Sequence, residues 1–208
     1  MKVYSINVGK PSEIIWKGKK SKSGIYKYPV EGKIYVSSTN LEGDGQGNLK
    51  VHGGIDKAIY VYPHEHYRYW EEQFTEMDIP IGMFGENLTT DGLNEFEICI
   101  GDKLQIGEII VEISEPRFPC VTLAARFGTS AIVKQFLHSY KSGFYLRVLK
   151  EGYIQAGDTI SIHEKSRDKF SVADFVMLYI NRDKSELREK ALANSAVSER
   201  WKEKIRNY

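Results

Sequence analysis

The sequence predicts a mainly β protein, a barrel-like core with helices attached, and three observations carry that prediction. Short β-branched and aromatic runs recur between Gly, Asp and Asn punctuation. Helical stretches are few over residues 1–164, and they do not alternate with strands as a doubly wound nucleotide fold requires. Beyond Glu164 the character changes to helical periodicity, which divides the chain into a β domain over 1–164 and a three-helix appendage over 165–208.

The strand candidates are KVYSINV (2–8), GKIYVSS (32–38), KAIYVYP (57–63), FEICI (96–100), KLQIGEIIVEIS (103–114), FYLRVLK (144–150) and DTISIH (158–163). The fifth reads as a hairpin turning at Gly107. Among helices, PHEHYRYWEEQF places Pro63 at a first helical position. CVTLAARFG and SAIVKQFLHSY follow Cys120, with Gly128 as a terminator. After the charged linker EKSRDKF (164–170), Ser171, Ser185 and Ser198 are the N-caps of three more helices. The first of these sets Val172, Phe175, Val176, Tyr179 and Ile180 on one face. Three helices of roughly 40 residues cannot bury a core of their own, so they are expected to pack together and dock on the barrel or on a partner.

Composition narrows the class. The 208 residues, 41% of them hydrophobic and 12% aromatic, suffice for a full core. Lys and Arg number 29 against 28 Asp and Glu, which gives no basic excess for a nucleic-acid or membrane partner. No secretory leader and no run of about 18 apolar residues appears, so a cytoplasmic chain is expected. Only two cysteines occur, which in that compartment reads as two thiols rather than a disulfide. Cys99, in the apolar run EICI, suits a buried hydrophobe. Cys120 follows the Pro-punctuated segment EPRFP.

Four segments carry candidate chemistry. LEGDGQGNLKVHGGIDKA (41–58) holds five glycines, with His52 and Lys57 bracketing Gly53 and Gly54. Such backbone can approach a ligand closely and form an anion nest, or it is a mobile hairpin loop. It lacks the Gly-Lys-Ser/Thr of a P-loop, and a calcium loop begun at Asp44 would have Leu49 and Ile55 where Gly and Glu are needed. PHEHYRYW spaces His64 and His66 two apart, against the four a shared helical metal site needs, so it reads as a solvated amphipathic helix. GMFGENLTTDG (82–92) offers Gly85, Glu86 and Asn87 on a turn, and an Asn amide suits a donor–acceptor heterocycle edge. In EPRFPCVTLAAR (115–126), Arg117 and the start of the following helix would both favour a Cys120 thiolate. One thiolate cannot build a zinc or iron–sulfur site. It can be the single protein ligand of a metal held mainly by an organic chelate, or it can be an inert buried Cys.

Taken in order, LEGDGQGNLKVHGGIDKAIYVYPHEHY, GMFGENLTTDGL, IGDKLQIG, SEPRFPC and GFYLRVLKEGYIQAGD resemble the MOSC domain family in its stand-alone bacterial, YiiM-type branch, over essentially the whole chain. That resemblance implies a MOSC-type β-barrel with a small C-terminal three-helix appendage and a molybdenum–pyranopterin cofactor. It implies Cys120 as the ligand to molybdenum. Cofactor binding would fall to His52, Gly53, Gly54, Asp56 and Lys57, to Glu86 and Asn87 of the Gly85 turn, and to Arg117 and Arg147. Many members carry Arg where this chain has Lys57, which exchanges a planar fork for a point charge.

The activity implied is an oxidoreductase that reduces N-hydroxylated bases or amidoximes, with Asn87 beside Cys120 in the catalytic set. No flavin fingerprint or iron–sulfur cysteine set is visible, so electrons are expected from a separate flavin or iron–sulfur donor protein. The alternative is a cofactor or sulfur carrier that does not turn over.

Overall fold

The computed structural model describes residues 1–47 and 53–208. Its twelve strands are β1 (Lys2–Val8), β2 (Ser12–Trp16), β3 (Lys19–Ser23), β4 (Tyr28–Val30), β5 (Ile34–Val36), β6 (Ile59–Pro63), β7 (Leu88–Asp91), β8 (Lys103–Ile106), β9 (Ile109–Pro116), β10 (Phe144–Lys150), β11 (Gly152–Ile154) and β12 (Ile160–Glu164). A 3₁₀ turn spans Ile55–Lys57, and six helices are described: α1 (Glu65–Gln73), α2 (Val121–Arg126), α3 (Ala131–His138), α4 (Val172–Ile180), α5 (Ser185–Ala193) and α6 (Glu199–Arg206).

Eight strands form one sheet in the order β12-β8-β9-β10-β6-β7-β1-β4, and every pairing is antiparallel except β6 with β7. The expected class, β plus α, is what the chain adopts, but the sheet is not a closed barrel. The reason lies along one edge of β1. Residues 6–8 there pair with β4, which leaves only the N-terminal end to meet the far side of the sheet. That end is bridged by Lys2 to Thr159, with Val3 N–H donating to Asp158 C=O at 2.9 Å. The rim is joined at one end and open at the other.

Several elements follow directly from sequence pattern. β9 alternates buried and part-buried positions over its first half, as a half-covered strand should. β8 and β9 turn at Gly107, whose φ is 50°. Ser171 caps α4 in a reciprocal box: its hydroxyl accepts from Asp174 N–H, and the Asp174 carboxylate accepts from Ser171 N–H, each at 3.0 Å. Pro63 ends β6 instead of opening α1, because β6 is buried along its whole length and pairs with β7 through Pro63. The FEICI run is a turn with one bridge, Cys99 to Ser171, since Asp102 captures Cys99 N–H at 3.0 Å. Ser185 is the first residue of α5, and Lys184 occupies the cap.

Two apolar clusters organise the packing. One joins the inner faces of the sheet to the C-terminal helices, with Ile100, Val111, Phe170, Phe175, Leu178 and Ile205 all at 1% exposure or less. The C-terminal helices thus bury their apolar faces against the sheet. The second cluster is aromatic and lies between the sheet's other face and α1–α3: Tyr62, Trp70, Phe84 and Phe136 are fully buried, and Tyr62 stacks on Phe84 at 4.2 Å. The separate hairpin β2–β3 packs on α2 and forms one wall of the cavity that Cys120 lines.

Candidate functional site

Cys120 stands where β9 has left the sheet. Pro116 ends the strand, Arg117–Pro119 cross outward, and Cys120 in extended conformation (φ −135°, ψ 175°) is the N-cap of α2. Its sulfur lies 2.8 Å from Thr122 Oγ1. The guanidinium of Arg117 is charge-coupled to this thiol. Sulfur and hydroxyl both line a cavity of about 170 Å³, shared with Lys27, Lys57, Asn87 and Arg117.

Arg117 is 6% exposed and lies over the rings of Tyr60 and Phe136, at 5.3 and 5.1 Å from their centroids. Burial works against its charge, but Tyr60, Cys120 and Tyr145 more than offset that, and its pKa ends above the ordinary arginine value. Burial pushes the Tyr60 and Tyr145 phenols up, although Arg117 pulls the other way, so both stay protonated at neutral pH. The Nη1 of Arg117 is buried without a hydrogen-bond partner among the described residues. A buried guanidinium donor in that condition is complementary to an acceptor in the cavity.

A second buried cation was not visible in the sequence. Lys27, 5% exposed, points into the same cavity and is ion-paired with Asp44. Burial lowers its pKa, with Asp44 and Glu86 acting in the opposite sense. Asp44 also accepts from Gly9 N–H and from Asn87 Nδ2, each at 2.9 Å. Asn87 Oδ1 in turn accepts from Tyr60 N–H at 3.1 Å. Both ends of the Asn87 amide are therefore committed to protein. Its backbone is stitched to β1 and β6, through Asn7 N–H to Asn87 C=O at 2.7 Å and Asn87 N–H to Tyr60 C=O at 2.8 Å. The Asp in LEGDG was quotable from the sequence as part of a glycine-rich loop. Lys27 was not, because nothing local distinguishes a buried lysine from an exposed one.

The turn before Asn87 explains its glycines. Gly82 and Gly85 have φ of 86° and 78°, and a Cβ on Gly82 would sit 2.5 Å from Lys27 C=O. Glu86 is fully buried beneath this turn and does not line the cavity. It accepts from Tyr67 OH, from Gly82 N–H at 2.9 Å, from Phe84 N–H at 3.1 Å and from Thr89 OH at 3.0 Å. Gly53, Gly54, Asp56 and Arg147 also lie off the cavity wall. Arg147 pairs with Asp56 (2.6 Å) and with Glu112, fastening the Ile55–Lys57 turn to the sheet. Lys57, on that turn, does line the cavity. Its Nζ is 2.9 Å from Glu115 Oε1 and 5.4 Å from the Tyr145 ring centroid. His52 lies outside the described residues.

Elsewhere, His64 and His66 are not simply solvated. His64 stacks on Tyr4 at 3.9 Å and meets Asp91 at 3.2 Å, while His66 meets Glu95 at 2.8 Å. They serve different carboxylates. Among the described residues, no three His, Cys, Asp or Glu side chains assemble a metal site, and no helix is long and apolar enough to cross a membrane.

The sequence model of the MOSC domain matches residues 48–161. The chain is 41% identical over 202 residues to the uncharacterized protein YflK of Bacillus subtilis (strain 168), covering 96% of this chain and 90% of YflK. It is 38% identical over 153 residues to a protein of Gibberella moniliformis named "Reductase", of which it spans 27%. The crystal structure of YiiM from Geobacillus stearothermophilus superposes with a TM-score of 0.84 at 34% identity, over 99% of this chain and 97% of that one.

Proposed function

This chain belongs to the MOSC domain family, and from that premise we propose that its cavity holds a molybdenum–pyranopterin cofactor through Cys120 and reduces N-hydroxylated compounds. One observation carries the reading: Cys120 opens into the same cavity as a buried guanidinium whose Nη1 has no hydrogen-bond partner among the described residues. The donor set fits the group. A soft anionic sulfur suits molybdenum carried by its own chelate, Arg117 with Lys27 and Lys57 suits a terminal phosphate, and the Tyr60 and Tyr145 rings give flat walls for a heterocycle. A fungal relative named a reductase agrees with redox chemistry.

When bound, the cofactor would supply two-electron oxygen-atom chemistry at the metal. The chain's own residues do the rest. Cys120 anchors the metal, and Arg117 balances the sulfur's charge. Lys27, held by Asp44, stays with the phosphate contacts; reduction of N–OH to N–H with release of water consumes two electrons from the donor protein and two protons from solvent. Asn87 acts through Asp44 and Tyr60 N–H as a positioning residue. Electrons come from a separate flavin or iron–sulfur protein.

The test is turnover. Protein purified from a cofactor-competent host, given a reduced artificial donor and an N-hydroxylated purine or benzamidoxime, is expected to form the corresponding amine or amidine, and Cys120→Ser is expected to form none. Bound molybdenum with no product from any substrate of such a panel would favour a cofactor or sulfur carrier instead.

A further inference from the structure

The C-terminal helices reach the cavity through one buried carboxylate. Glu115, 4% exposed, is the next-to-last residue of β9 and faces Tyr145 across the ladder. Its Oε1 meets Lys57 Nζ at 2.9 Å, and its Oε2 accepts the indole N–H of Trp201 on α6 at 2.6 Å. Lys57 and Tyr145 are both on the cavity wall. Trp201 is fixed in turn by aromatic neighbours on two elements: Phe118, two residues before Cys120, at 5.1 Å, and Phe175 on α4 at 5.0 Å. Lys204 lies 4.5 Å from the same ring.

A buried carboxylate holds one geometry only while its oxygens are satisfied. Trp201 is a rigid donor with a single N–H, so it fixes one oxygen and leaves the other directed at the ammonium. We propose that Trp201 is a positioning residue of the cavity: through Glu115 it sets where the Lys57 ammonium stands, so that the C-terminal helices form part of the machinery that binds an anion beside Cys120. The proposal rests on reading the cavity as the anion site of the cofactor, and its test separates the two.

Lys57 reactivity is the readout. Trace acetylation of the full chain, resolved by mass spectrometry, reports the Lys57 environment whether or not anything binds, and added pyrophosphate serves as the anion probe. Trp201→Phe keeps an aromatic ring between Phe118 and Phe175 but removes the N–H together with part of the indole. It is expected to raise Lys57 labelling by roughly two- to thirtyfold while leaving lysines remote from the Trp201 ring unchanged, and to weaken pyrophosphate protection of Lys57 by a similar factor. Glu115→Gln, which keeps an acceptor for Trp201 but drops the ion pair, is expected to raise Lys57 labelling further, and Trp201→Phe added to it is expected to do nothing more. Unchanged Lys57 labelling in Trp201→Phe, or independent effects of the two substitutions, overturns the proposal. If labelling responds as expected but pyrophosphate protects nothing in the wild type, the relay stands and the anion reading of the cavity falls. Should Trp201→Phe fail to fold, the Lys57 response to Glu115→Gln decides: no change there overturns the relay.

Discussion

Glu86, placed by its motif among the expected cofactor contacts, sits buried behind the cavity wall. The sequence places Glu86 beside Asn87 on a glycine turn, and both are indeed adjacent. Only the fold reveals that Glu86 turns inward to four donors while Asn87 faces the cavity. Burial raises the Glu86 pKa, with the hydrogen bonds from Tyr67, Gly82 and Thr89 opposing it. Folding therefore takes up a proton between the ordinary carboxylate range and the raised value. In that window the native state binds more protons than the unfolded state, so stability falls as pH rises and levels off above it. Urea melts of Glu86→Gln should lack that slope. They should also show a loss of about 1–3 kcal/mol at neutral pH, since an NH₂ would face a row of donors. A pH slope identical to wild type would mean that Glu86 stays ionised throughout.

Cys120 and Arg117 were legible as a pair three apart in a proline-stiffened segment. That Arg117 is buried against Tyr60 and Phe136, with its Nη1 unpartnered among the described residues, was not, because those rings are remote in sequence.

At the scale of elements, strands with strong alternation and helices with a cap were readable, and short edge elements were not. β4 and β11 have three residues each, and β2–β3 carries little apolar pattern, with Lys at 19, 20 and 22 on its second strand. Such strands are set by their partners more than by propensity. The linker between the sheet and the C-terminal helices shows the same dependence. Asp102, fully buried, accepts from Cys99 N–H (3.0 Å), Ser166 N–H (2.8 Å) and Lys165 Nζ (2.9 Å). Asp102→Ala leaves two backbone donors unsatisfied and should cost about 2–5 kcal/mol. Limited proteolysis should then cut first within residues 165–170. Cleavage distributed as in wild type would show that the linker is held by apolar packing alone.

For the whole molecule, strand punctuation and the resemblance to MOSC proteins pointed to one fold class, and the family match agrees with it over the β region. What it did not convey is the incomplete closure of the sheet, which follows from β4 occupying half of one edge of β1. Nor did it show that sheet and C-terminal helices share one apolar cluster. That shared core predicts a single cooperative thermal transition for the full chain, with tertiary signals from Trp70 on one face and Trp201 on the other melting together. Two separated transitions would contradict it.

Ligation of molybdenum by the sulfur of Cys120 is tested most directly by molybdenum K-edge absorption on protein from a cofactor-competent host. Wild type and Cys120→Ser would be compared at equal protein concentration. A sharp loss of molybdenum is expected in the variant and, in whatever metal remains, one sulfur fewer in the coordination shell. Equal metal content with the same sulfur count in both would contradict it.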